Sequence, residues 1–86
     1  MRNKRSKQFN RLFDQLPVRV QRQAEATYQL FKRDPYHPSL HFKRVNSQDP
    51  VYSVRIGKHY RALGLWEGDM ITWYWIGSHE DYNKVI

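Results

Sequence analysis

From Ser6 the apolar positions follow a helical spacing. Phe9, Leu12, Phe13 and Leu16 stand at i, i+3, i+4 and i+7, with Ser6 placed to cap the first turn. Pro17 suits the opening of a second helix, so the pattern predicts one from about Pro17 to Arg33, with Val20, Ala24, Tyr28 and Phe31 facing inward and Thr27 and Leu30 beside them. Two helices with almost no loop between them predict an antiparallel hairpin. Asp34-Pro35 and Pro38 end the second helix, after Lys32 and Arg33 in its last turn. Beyond Pro38 the period falls to two. Strands are expected over Ser39 to Val45, Val51 to Ile56, Tyr60 to Trp66 and Met70 to Ile76, separated by Asn46-Ser47-Gln48-Asp49-Pro50, Gly57-Lys58-His59 and Glu67-Gly68-Asp69.

The strand from Met70 is β-branched and aromatic almost throughout, as in a central strand buried on both faces. Strict alternation puts Ile71, Trp73 and Trp75 on one face and Thr72, Tyr74 and Ile76 on the other. Gly77 then frees the backbone. Ser78-His79-Glu80-Asp81-Tyr82 is either an ordinary exit turn, with Ser78 capping a last helical turn, or a rim that presents His79 and its neighbours as a site. Met1 to Arg5 reads as an edge strand or a disordered arm. The pattern as a whole predicts one α+β domain over residues 1–86, its two helices on one face of a mainly antiparallel sheet of four to five strands.

Composition changes this picture in two respects. There is no cysteine, which excludes a disulfide framework and a thiolate metal site. No apolar run is long enough to span a membrane and no secretory h-region follows the basic start, so a cytoplasmic location is expected. The net charge is +7, and residues 1–22 carry most of it: Arg2, Lys4, Arg5, Lys7, Arg11, Arg19 and Arg22 stand against Asp14 alone. Such a surface suits an anionic partner, although a solvated basic face accounts for the charge equally.

Candidate chemistry is sparse. His37, His41, His59 and His79 have no metal-ligand spacing, and there is no phosphate-cradling glycine loop, so neither metal nor cofactor is expected. What remains is a basic and aromatic set on the sheet: Arg55, Lys58, His59, Tyr60, Arg61, His79 and Tyr82, with Lys43 on the strand before. Guanidinium groups grip phosphate, aromatic faces stack unpaired bases, and a histidine moves a proton near neutral pH. Those are the parts for metal-free RNA cleavage by the 2′-hydroxyl. Arg55 and Arg61 are accounted for equally well as sheet-face arginines paired with Glu67, Glu80 or Asp81. Regular alternation also puts Arg61 on the side of Leu63 and Leu65, so a bulge or a place at the strand's open end is needed for it to meet a polar face.

These segments resemble the RelE/ParE superfamily of bacterial toxins from type II toxin–antitoxin pairs. The likeness runs through Leu16-Pro17, Asp34-Pro35, Pro38-Ser39-Leu40, Tyr52-Ser53-Val54-Arg55-Ile56-Gly57, Tyr60-Arg61-Ala62-Leu63 and Trp75-Ile76-Gly77-Ser78-His79-Glu80-Asp81-Tyr82. The resemblance implies a sheet curved around a concave site, helices on its back, and a neutralising antitoxin as partner. For the ribonuclease branch it implies mRNA cleavage on the ribosome, with Arg55 and Arg61 on phosphate, His79 as acid or base, and Tyr82 stacking a base or assisting proton transfer. Lys43, Lys58, His59 and Tyr60 would contact RNA. The ParE branch implies instead a DNA gyrase inhibitor without catalysis, and an inactive member is a third outcome. Two features depart from the ribonuclease pattern: Ser53 stands where some members carry a further basic residue, and the first strand, normally apolar, is Arg2-Asn3-Lys4-Arg5.

Overall fold

The computed structural model describes residues 1–86. Ser6 begins α1 (Lys7–Asp14) as its chemistry predicts, its hydroxyl accepting the Phe9 N–H at 3.1 Å. Pro17 caps α2 (Val18–Arg33), its carbonyl taking the N–H groups of Val20 and Gln21 at 2.9 and 3.0 Å. The apolar stripes face as their spacing requires: Phe9, Val20, Ala24 and Phe31 are buried, and Leu12, Phe13, Leu16 and Tyr28 pack around that core. The Gln21 amide donates to the Phe13 carbonyl at 3.0 Å and ties the helices together. α1 lies along β5 (Met70–Ser78) and α2 against β3 (Val51–Ile56).

Five strands form one mixed sheet in the order β1-β5-β4-β3-β2. β4 (Tyr60–Glu67), not β5, is therefore the middle strand. β1 (Arg2–Arg5) runs parallel to β5, and every other pair is antiparallel. The basic start is thus an edge strand. Its Arg5 is not a free charge: the guanidinium pairs with Glu25 at 2.8 Å and lies over the rings of Phe9, Phe13 and Tyr28.

The strand expected from Ser39 to Val45 is replaced by a 3-10 turn (Pro38–Leu40) and a two-residue β2 (Lys43–Arg44). A ring nitrogen of His37 accepts the Ser39 N–H, and Leu40 turns into the core at 2% exposure. That turn leaves His41 with φ 45°, and only Lys43 and Arg44 remain to pair with β3. Phe42 still points inward, edge-on to Phe31 at 4.9 Å.

One irregularity decides what each face carries. Between β4 and β5 the register slips: Leu63 faces Trp75 but Gly64 faces Trp73, so Tyr74 is an extra residue, a β-bulge. Strict alternation fails at that point. Ile71, Trp73 and Ile76 share the helix face with Val54, Ile56 and Ala62, while Trp75 turns to the outer face with Arg55, Arg61, Leu63 and Gly77. After β5 the chain forms α3 (His79–Val85), capped by the Ser78 hydroxyl, which accepts the Asp81 N–H at 3.1 Å. α3 packs on β4 and β5 and closes over the outer face, where Leu63 is buried at 1% exposure. No helix is long and apolar enough to cross a membrane.

Candidate active site

β3 and β4 pair so that Arg55 and Arg61 stand directly opposite one another, and Gly77 of β5 completes the row. Both side chains therefore leave the same, outer face. The alternation that associates Arg61 with Leu63 and Leu65 is real; Arg55 is on that side as well, at the end of the strands next to the β3–β4 turn. The bulge lies past this row and does not move Arg61; it moves Trp75.

Neither arginine pairs with a carboxylate. The ion pairs of the molecule are Arg2–Asp69, Arg5–Glu25 and Lys84–Asp81, which leaves Glu67 and Glu80 outside any pair. Arg55 Nε donates to the Gly57 carbonyl at 2.9 Å, and Arg61 donates to the Tyr60 carbonyl at 2.8 Å. Like charges directly opposite across two strands repel. Burial lowers the Arg61 pKa from its ordinary value, the Arg55 charge lowers it further, and Tyr82 acts in the opposite direction. An anion between the two guanidinium groups would relieve both costs.

His79 and Tyr82 reach the same region from the first turn of α3, the His79 N–H donating to the His59 carbonyl at 2.7 Å. The imidazole is exposed and stacks on the Tyr82 ring, centroids 5.9 Å apart. Tyr82 is only 7% exposed, with the Trp75 ring tilted beside it, centroids 6.5 Å apart. At that exposure little of the Tyr82 ring is open to solvent.

The expected RNA-contacting set divides. Lys43 is exposed on the outer face, one row from Arg55, because it pairs with Ser53. Tyr60 shares the helix face with Ile56 and packs against the core. Lys58 and His59 are exposed at the tip of the β3–β4 turn, beside a groove of ≈500 Å³ that Arg19, Gln23 and Tyr60 also line. The structure adds two residues that sequence reasoning missed. His41 brings Nε2 to 3.5 Å from Arg55, and nothing in the sequence announces its left-handed backbone. Trp75 lies on the outer face with its ring across Gly77: a Cβ there would sit 2.6 Å from Cζ2 of the indole. The glycine two residues on was the available signal. No three His, Asp or Glu side chains converge to hold a metal ion.

Against known proteins, residues 18–84 match the ParE-like toxin domain model. No curated protein sequence matches this one. Among solved structures, the chain resembles RelB–RelE antitoxin–toxin from Methanococcus jannaschii, with 15% identity over 96% of this chain and 99% of that one and a TM-score of 0.76. It also resembles YafQ from E. coli strain BL21(DE3), 10% identical over 95% and 98% with a TM-score of 0.76. For an archaeal RelE–RelB complex from Pyrococcus horikoshii OT3 the identity is 18% over 90% and 92%, with a TM-score of 0.69. At these identities the neighbours establish the fold, and the family model covers well over half of the chain: it belongs to the ParE-like toxin domain family, a toxin of the RelE/ParE superfamily.

Proposed function

We propose that this toxin is a metal-independent endoribonuclease that cuts mRNA on the ribosome, and that an antitoxin protein holds it silent. The observation that carries the reading is the Arg55–Arg61 pair, cross-strand and without a carboxylate partner. Two adjacent guanidinium groups are a phosphate clamp, and a strained like-charge pair is most relieved by the doubly charged phosphorane. In this reading His79 takes the proton of a 2′-hydroxyl as its oxygen bonds to phosphorus. The bond from phosphorus to the 5′-oxygen breaks, and that oxygen takes a proton from the Tyr82 hydroxyl. The products are a 2′,3′-cyclic phosphate and a 5′-hydroxyl end, so atoms and charge balance without a co-reactant. Lys43 extends the basic surface on the same face, and Lys58 and His59 do so at the turn. The antitoxin proposal draws on the two RelE neighbours, both of which are complexes with RelB.

The test is mRNA cleavage on translating ribosomes, with folding of each variant checked by circular dichroism. His79→Ala should lose ~10²–10⁴ in rate and Arg61→Ala ~10²–10³. Tyr82→Phe should slow cleavage without unfolding, since the buried ring is kept. A wild type that cuts nothing and instead blocks DNA gyrase supercoiling would replace the enzyme with a gyrase-binding toxin.

A further inference from the structure

Trp75 sits where alternation would not have put it, and the molecule gives up regular structure to hold it there. The Tyr74 bulge turns it out of the core, and Gly77 leaves room for its ring to lie across the outer face beside the Arg55–Arg61 row. Bulges at sheet edges commonly re-aim a side chain in this way. The result is a half-buried indole that lies near Tyr82 and also borders open space at the surface.

That open space has a defined wall. β1 stops pairing at Arg5, opposite Trp73, and the Ser6 N–H closes on the Trp73 carbonyl at 3.0 Å. From there α1 takes over the border of β5, fixed by the Gln8 side-chain amide donating to the Tyr74 carbonyl at 2.9 Å. Gln8, Arg11 and Leu12 of α1, Gln15 just after it, and Trp75 line an open groove of ≈400 Å³, within the size range of small-ligand sites. Its donors and acceptors are specific. One N–H of the Gln8 amide is engaged, which fixes the side chain and leaves its oxygen free to accept and its second N–H free to donate. Arg11 is an exposed fork of donors with no carboxylate partner.

We infer that this groove is a base-recognition subsite, in which the nucleotide next to the scissile phosphate stacks on Trp75 and is read by Arg11 and Gln8. The pairing favours guanine: arginine matches its O6 and N7 acceptors, and a glutamine oxygen accepts from a ring or amino N–H. The inference rests on the ribonuclease reading for its setting, and its position follows from Trp75 being shared between groove and site.

Two measurements separate the subsite from the catalysis. In the first, cleavage positions on mRNA are mapped for wild type, Arg11→Ala and Trp75→Leu, with Arg22→Gln, an exposed α2 arginine, as the charge control. In the second, RNA hexamers made uncleavable by 2′-O-methyl groups, with guanine or cytosine at the tested position, are titrated against the same proteins. Wild type should cut beside guanine and bind the guanine hexamer about tenfold more tightly, a preference that Arg11→Ala abolishes and Arg22→Gln retains. Trp75→Leu should weaken both hexamers by about tenfold. Cleavage with the same base preference in wild type and Arg11→Ala overturns the subsite and leaves the ribonuclease standing. No cleavage, but guanine-selective binding lost in Arg11→Ala, overturns the ribonuclease and keeps the subsite. Arg11 is exposed on α1, so its loss does not threaten folding.

Discussion

Arg55 and Arg61 illustrate how a single residue pair can cost the fold in the way expected of a binding site. Their mutual repulsion should be relieved by any phosphate-like anion, which then stabilises the folded state by mass action. At constant ionic strength, sulfate or phosphate should raise the melting temperature of the wild type, and the rise should at least halve in Arg61→Gln. Equal rises would mean that no anion sits between the two. Tyr28 bears on stability instead: burial raises its hydroxyl pKa above the ordinary 10.0, the Arg5 charge opposing and Glu25 adding. The folded state therefore holds that proton more tightly than the unfolded chain. Its contribution is whole below about pH 10 and is lost as pH rises through the folded pKa. Burial raises Tyr74 in the same direction. Urea midpoints measured between about pH 9 and 11 should fall for wild type, and less steeply for Tyr28→Phe.

At the scale of the element, β5 is two half-strands joined at a bulge, each with a tryptophan aimed at a different face. Two glycines make room for those rings. A Cβ on Gly64 would lie 2.8 Å from Cε3 of Trp73 and 2.9 Å from Cγ1 of Ile71, both buried side chains with nowhere to move. A Cβ on Gly77 meets the half-exposed indole of Trp75, which can swing toward solvent. Gly64→Ala should thus cost about 3 kcal/mol, the upper end of overpacking, and Gly77→Ala nearer 1 kcal/mol. The milder variant should nevertheless lose more of the site, because displacing the ring opens the row beside Arg61. Denaturant unfolding of the two variants checks the order; a larger loss for Gly77→Ala would show that the Trp75 ring is fixed.

For the whole molecule the question is where the charge of +7 acts. Lys4 and Lys7 are exposed and outside any ion pair, Arg2 is paired with Asp69, and Arg5 is built into the aromatic cluster under α1 and α2. Removing exposed lysines should change only long-range attraction. If they contact RNA, Lys4→Gln and Lys7→Gln should each reduce the salt slope of binding by about 0.7, with melting unchanged. Arg5→Gln should instead destabilise by about 1–2 kcal/mol, through lost cation–π contact and the Glu25 partner. A melting temperature unchanged by Arg5→Gln would return that residue to the solvated surface.

Much of this was legible in the chain. Helix stripes, caps at Ser6 and Ser78, the breaks at Pro17 and Asp34-Pro35, and three of the strands follow from local spacing and turn chemistry, which act over a few residues and leave their mark there. The order of basic and aromatic residues that resembles the RelE/ParE superfamily is likewise a property of sequence. Tertiary structure decided what depends on register. A bulge at Tyr74 leaves no local mark except the glycine at position 77, yet it reverses the side of every residue after it, and so moved Trp75 from the core to the outer face and Ile76 from the outer face to the core. The short β2 was decided by Leu40 entering the core, and the role of Arg5 by three rings and a carboxylate from other elements. That Arg55 and Arg61 stand opposite one another with no carboxylate between them is a fact of strand pairing, which only the folded sheet determines.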